Sequence, residues 1–231
     1  MHALLSRAAV AAVCLLVVPA RAETVKRSVA GFTKVELRVP LDATIRPGKE
    51  FSVVLDMRDS DVAGKIDTEV RGDRLVISSN AHSLQMHGKN TVTITMPELR
   101  AISIAGSGNV DVSGFDQGGE VALAVSGSGD INYSGKSSAL AVAISGSGNV
   151  KLAGSTGNLS VAIDGSGDVK AADFPVKNAA VSVNGSGDAD LRINGGAVQF
   201  AVNGSGDIRW SGEASTVSAV THGSGSIQKK R

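Results

Sequence analysis

The sequence predicts an all-β protein: a single-stranded parallel β-helix, or solenoid, of about 19–20 residues per rung, preceded by a short-strand N-terminal β segment that covers the first rung. Three observations predict it. The triplet Gly-Ser-Gly occurs seven times, opening at Gly106, Gly127, Gly146, Gly165, Gly185, Gly204 and Gly223, with spacings of 21, 19, 19, 20, 19 and 19 residues. Apolar residues fall into columns when the copies are aligned on those glycines. The chain has 28 glycines, half of them in the triplets, with five prolines and 3% aromatic residues, so its core must be built from thin layers of Val, Ile, Leu and Ala.

Taken in chain order, residues 1–22 read as a secretory signal. A basic start ends at Arg7, an apolar run extends from Ala8 to Val18, and Pro19-Ala20-Arg21-Ala22 supplies an Ala-x-Ala cleavage site. The run is shorter than the roughly 20 residues of a membrane span, so a soluble mature chain beginning near Glu23 is expected in the periplasm, outside the cell or at its surface. The single cysteine, Cys14, lies inside the run after Val13, whereas lipoprotein processing wants a small residue there. Its removal excludes disulfides, thiolate metal sites and cysteine nucleophiles. Loss of Arg7 and Arg21 turns a net charge of +1 into −1, a balance that points to no nucleic acid and no anionic membrane.

Residues 23–100 lack the triplet. Strand-like stretches at Phe32–Val39, Phe51–Asp56, Ile66–Val70, Arg74–Ser78 and Thr91–Met96 suggest a meander packed on the first rung, with Leu41–Ile45 leading to a turn at Pro47-Gly48. Covering that rung would protect an unpaired strand edge. Arg71-Gly72-Asp73 spells an integrin-ligand tripeptide, but Gly-Asp between two strands reads as a hairpin turn. His82, Met86 and His87 fall in a polar loop, short of a metal-ligand set.

Residues 101–228 carry the repeat. Four positions before the first glycine of the first six triplets stand Ile102, Leu123, Val142, Val161, Val181 and Phe200, and two before it Ile104, Val125, Ile144, Ile163, Val183 and Val202, with small or polar residues between. This is the period of two of a strand with one buried face. The pattern resumes after the corner at Val110, Ile131, Val150, Val169, Ala189, Ile208 and Ile227. The closing glycines, Gly108, Gly129, Gly148, Gly167, Gly187, Gly206 and Gly225, complete a corner that needs positive φ or close backbone approach. Each rung buries nothing alone, but stacking at about 4.8 Å pairs every strand with its neighbours. Thr221, Ala219 and Lys229-Lys230 are expected to form a modest C-terminal cap on a last rung through which copies could stack, and 229–231 a basic solubilising tail.

The position after each triplet reads Asn109, Asp130, Asn149, Asp168, Asp188, Asp207 and Ser226. Asn and Asp suit a turn. The competing reading is a calcium ladder on the uninterrupted acidic run Asp168, Asp188 and Asp207, since carboxylates one rung apart repel by about 1 kcal/mol even in water. Calcium-binding β-rolls, however, repeat every nine residues with an acidic loop twice per turn, and the expected metal and cofactor complement is none. No catalytic residue is expected either. Asp164 and Asp168 flank one corner as a carboxylate pair, yet Asp164 aligns with Ala105, Ser126, Ser145, Asn184, Asn203 and His222. Seven interchangeable serines are not one nucleophile elbow, and no phosphate-binding loop occurs.

Gly31-Phe32-Thr33-Lys34-Val35-Glu36-Leu37, the run Thr91–Leu99 leading into Ala105-Gly106-Ser107-Gly108-Asn109-Val110, and the closing Gly204–Trp210 and Gly223–Ile227 together resemble the bacterial auto-transporter adhesin head GIN domain family. The resemblance extends from about residue 30 to 228. It implies the β-helix fold and, through the family name, surface adhesion, and it brings no catalytic or binding residues. An autotransporter's membrane barrel has no counterpart after the last repeat, so a periplasmic or secreted module, or one displayed by another protein, is expected. The reading that follows is a non-catalytic binding, adhesin-like or scaffold module whose partner is an envelope component, a glycan or a cell surface. A glycan-active β-helix enzyme is the first alternative and a calcium-stabilised structural protein the second.

Overall fold

Alternating Val, Ile and Leu require a face to bury, and the chain provides it by coiling. The computed structural model describes residues 23–58, 60–81, 88–116 and 118–230. The proposed leader with Cys14, the loop residues His82, Met86 and His87, and Arg231 of the basic tail lie outside the described residues. Eighteen strands follow one another: β1 Glu23–Arg27, β2 Lys34–Leu37, β3 Asp42–Pro47, β4 Ser52–Met57, β5 Ile66–Arg71, β6 Arg74–Ser79, β7 Thr91–Met96, β8 Ala101–Ile104 and β9 Val110–Phe115. The repeats then supply β10 Glu120–Gly127, β11 Ile131–Gly146, β12 Val150–Gly165, β13 Val169–Gly185, β14 Ala189–Asn194, β15 Ala197–Gly204, β16 Asp207–Glu213, β17 Thr216–Gly223 and β18 Ser226–Lys229. Among the described residues a single helical turn, Ser60–Ala63, interrupts them. No helix among the described residues is long and apolar enough to cross a membrane.

The protein is an all-β solenoid, with about seven turns in its repeat region, and its register follows the repeat beside the corners, with shifts only farther along, between Ser134 and Gly135, Lys151 and Thr156, and Ala171 and Pro175. Ile131 pairs with Val150 and Val150 with Val169, while Val142 pairs with Val161 and Val161 with Val181, all in parallel. Strands before the corners form one face, β8-β10-β11-β12-β13-β15-β17, and strands after them the other, β9-β11-β12-β13-β14-β16-β18. Opposite the corners the chain stays in strand in β11, β12 and β13, which run unbroken from one face to the other. Inside that bend the Ser137 hydroxyl donates to Thr156 Oγ1 at 3.0 Å, and Thr156 donates on to the Asn158 carbonyl, so both buried hydroxyls are satisfied.

The inward columns are buried from Ile102 through Phe200 and from Ile104 through Val202. The columns after the corner are closed as far as Ile208 and Trp210. Six of the seven aromatics, Phe32, Phe115, Tyr133, Phe174, Phe200 and Trp210, lie in this core, and Phe51 packs its ring on Phe32 at 4.8 Å.

The N-terminal segment departs from the expected meander. β2 pairs in parallel with both β6 and β8, and β3 in parallel with both β7 and β9. It therefore builds two further rungs, β2–β3 and β6–β7, that continue the stack. The physical reason is that Val35, Leu37, Ala43 and Ile45 repeat the spacing of Ile102, Ile104, Val110 and Val112 around a corner without glycine. Antiparallel pairing is confined to the outer end, where β5 folds back on β6 and where β4 lies on β7 and β1 on β4. Arg71-Gly72-Asp73 is the β5–β6 turn, with Gly72 at φ 64° and the Asp73 carboxylate held by Lys34 at 3.0 Å.

Candidate binding face

Every corner is held by two different uses of glycine. The first glycine of six triplets has positive φ, between 120° and 145° from Gly127 to Gly223, whereas Gly106 does not. The closing glycine needs no unusual φ but lies against the rung before it. A Cβ on Gly148, Gly167, Gly187, Gly206 or Gly225 would stand 2.0–2.1 Å from the preceding closing glycine's carbonyl oxygen. Gly108 meets Leu41 O in the same way, so the glycine-free corner of β2–β3 belongs to the same column.

The Asn/Asp column does not act as a set of separate turns bonded to their own backbone. Each side chain reaches the next rung. Asp42 Oδ1 accepts the Asn109 N–H at 3.1 Å, Asn109 the Asp130 N–H at 3.2 Å, Asp130 the Asn149 N–H at 2.8 Å, and Asn149 the Asp168 N–H at 3.0 Å. Asp168 then accepts from Asp188 at 3.0 Å, Asp188 from Asp207 at 2.9 Å, and Asp207 from Ser226 at 2.9 Å. One oxygen suffices for this bond, which is why Asn and Asp alternate freely. Arg209 bridges Asp188 Oδ2 at 3.0 Å and Asp207 Oδ2 at 2.7 Å, relieving the repulsion within the acidic run. The Ser226 hydroxyl first, then the Ser226 N–H and Arg209, hold the Asp207 carboxyl below its ordinary value against the opposing effect of desolvation.

For Asp168, Asp188 and Asp207, the candidate metal ligands, the geometry supplies a partner other than a cation. No group of three or more His, Cys, Asp or Glu side chains converges among the described residues. Asp168→Asn is therefore expected to leave thermal stability unchanged, and Asp168→Ala to cost about 1 kcal/mol through one lost acceptor. Calcium and excess chelator should give the same melting temperature. A calcium-dependent shift abolished by Asp168→Asn would replace this account with a cation ladder.

The suggested Asp164–Asp168 pair is likewise divided between separate ladders. Asp164 accepts from Asn184 Nδ2 at 2.8 Å, and Asn184 from Asn203 Nδ2 at 3.0 Å, on the outer surface beside the corners. Of the charged groups lining two shallow depressions elsewhere, Glu98, Arg100, Arg46 and Asp111 already have partners. Arg100 holds Glu98 at 2.7 Å, Arg46 donates to the carbonyls of Ile45 and Asp111, and the Asp111 carboxylate accepts from Asn132. Tyr133 is buried, and desolvation with the nearby Asp116 charge pushes its phenol up to about 12, so it stays neutral at any physiological pH.

What distinguishes the surface is the contrast between the two outer faces. On the pre-corner face the outward residues of successive rungs are Ala101 and Ser103, Ala122 and Ala124, Ala141 and Ala143, Ser160 and Ala162, Ala180 and Ser182, Gln199 and Ala201, and Ser218 and Val220. These two adjoining columns contain no charge along seven rungs, and shallow troughs lie along them. The post-corner face instead presents Asp111, Asn132, Lys151, Lys170, Asp190 and Arg209 in one column. The signal for this contrast was present in the small residues between the apolar columns, which differ in chemistry before and after the corner.

The family model described as "Putative auto-transporter adhesin, head GIN domain" matches residues 31–214 and 182–231. Among solved structures, the chain is similar to a putative adhesin from Bacteroides fragilis, with a TM-score of 0.79 at 21% identity, covering 91% of this chain and 97% of that one. A protein from Parabacteroides distasonis described as a putative lipid binding protein has a TM-score of 0.72 at 20% identity, with 91% and 97% covered. A putative adhesin from Parabacteroides merdae has 0.68 at 17%, again with 91% and 97% covered. At these identities the likeness concerns the fold. Comparison with curated proteins gives no match.

Proposed function

Because this chain belongs to the auto-transporter adhesin head GIN domain family, we propose that it is an exported, non-catalytic, adhesin-like module of the cell envelope or exterior that engages its ligand through the Ala/Ser face. The observation that carries this reading is the uncharged pair of columns running the length of the repeats. Ala loses no side-chain entropy on contact and Ser little, and neither requires a charge to be desolvated. Strands paired on both sides keep such a face rigid, so it is preorganised for an extended partner. Methyl and hydroxyl groups repeating at about the 4.8 Å strand spacing suit a repetitive uncharged polymer, such as a glycan at a cell surface. The enzyme alternative finds less support, since the charged groups beside the depressions on either face are largely engaged in ion pairs and ladders.

Binding through an uncharged face has a salt signature. Association of the chain with intact bacterial cells or immobilised cell-surface glycans is expected to change less than twofold between low and high ionic strength, because exposed charge pairs alone are screened. A steep loss of binding with salt would assign recognition to the Lys- and Asp-bearing face instead.

A further inference from the structure

The two ends of the solenoid are finished differently. At the N-terminal end the outermost strands run antiparallel and carry charge: Glu23, Lys26 and Arg27 on β1, and Asp67, Glu69 and Arg71 on β5. Such edges resist further strand addition. At the other end β17 pairs, among the described residues, only with β15, and all eight of its residues, Thr216–Gly223, are exposed. The strand contains no Asp, Glu, Lys, Arg or Pro. Its inward residues Val217, Ala219 and Thr221 continue the columns of Val198, Phe200 and Val202, and Val217 is 47% exposed where Val198 is 1%.

The cap expected from Thr221, Ala219 and the lysine pair does not cover this edge. Lys229 reaches back to Glu213 at 3.2 Å and over the Trp210 ring at 5.1 Å, and Lys230 reaches Asp190 at 2.6 Å. Both lie along the side of earlier rungs.

We infer that the free edge of β17 pairs with the same edge of a second copy, antiparallel about a two-fold axis at Ala219. Opposed residues in a sheet share a face, and this register is self-complementary. Val217 faces the second copy's Thr221 on the inner side, Ser218 faces its Val220 on the outer side, and Thr216 faces its His222. Ala219 meets itself at the axis, the small residue that two chains can share. No like charges meet at the edge. An eight-residue edge is about 26 Å long and the two sheets are about 10 Å apart, so the end face spans on the order of 260 Å² per copy. The pair then covers on the order of 500 Å², less than the roughly 1,000 Å² of a standard interface, so backbone pairing along the β17 edge, rather than buried area, is what holds the two copies. Head-to-tail growth would bring β17 against the charged antiparallel end, so the contact closes as a dimer rather than extending as a fibre. The Ala/Ser faces of the two copies would join into one surface of twice the length, although the dimer is inferred from the edge alone.

The test uses the chain with Cys14→Ser, which leaves no thiol. Light scattering after gel filtration should give twice the chain mass, and Ala219→Lys, with its circular dichroism unchanged, should halve it. A cysteine introduced by Ala219→Cys should cross-link two chains on mild oxidation, while one introduced by Ser128→Cys, at an exposed corner, should not. A monomeric mass for the parent, a dimer that survives Ala219→Lys, equal cross-linking at both positions, or open-ended larger assemblies would each overturn the inference.

Discussion

Gly167→Val should lower stability by about 3 kcal/mol or more, the upper range for forcing atoms into a packed site. For a chain of this size that corresponds to roughly 6–12 °C in melting temperature. The clash is steric and does not involve φ. A Cβ at residue 167 would lie 2.0 Å from Gly148 O and 2.9 Å from Ile144 Cγ2. The oxygen belongs to the backbone of the preceding rung and cannot swing away, so the two rungs must separate at that corner. Because the next glycine down, Gly187, meets Gly167 O in turn, the displacement propagates along the column. Gly119→Ala is the matched control. No atom lies within 4 Å of a Cβ there and its φ is not in the left-handed region, so the change should stay within about 0.5 kcal/mol. Equal melting temperatures for the two variants would mean that the corners are not in contact between rungs.

The same corner shows how far the fold was legible. The spacing of Gly-Ser-Gly and the alternation of Ile104, Val125 and Ile144 with small residues identify the stacked strands, because a strand has a period of two and a solenoid repeats it at rung length. The sequence could not separate positive φ from close approach as the reason for glycine, since both exclude a Cβ. Gly165 shows both, with φ 143° and a Cβ that would stand 2.3 Å from Gly146 O, whereas Gly167 shows only the second. The two N-terminal rungs were hidden because Arg38-Val39-Pro40-Leu41 makes its corner without the triplet, although Asp42 occupies the position of Asn109 and bonds to it.

The candidate site was less legible for a different reason. Asp168, Asp188 and Asp207 draw the eye as carboxylates, but a side chain's partner on the next rung is set by stacking register, about 19 residues away in sequence. Only that register reveals that each Oδ1 faces a backbone N–H and that Arg209 lies between two of them. Likewise Ala141, Ala143, Ser160 and Ala162 are individually bland. Their significance appears when adjacent rungs place them side by side with no charge among them.

The second large effect expected is on binding. In the variant Ala143→Arg/Ala162→Arg, two guanidinium groups would stand on neighbouring rungs at the middle of the uncharged face, where Ala143 pairs with Ala162. Both positions are exposed, so the fold should persist with unchanged circular dichroism. A ligand seated there would have to lift off or desolvate two charges, and a loss of about 1.4 kcal/mol already means tenfold in affinity. Lys151→Glu/Lys170→Glu makes a comparable change in charge on the opposite face, also at paired and exposed positions. The direct test of the account is to measure binding of the unaltered chain and these two variants to the same cells. A loss of tenfold or more for Ala143→Arg/Ala162→Arg, with binding retained by Lys151→Glu/Lys170→Glu, is the result predicted. Retained binding in the first and loss in the second would contradict it and move the ligand to the charged face.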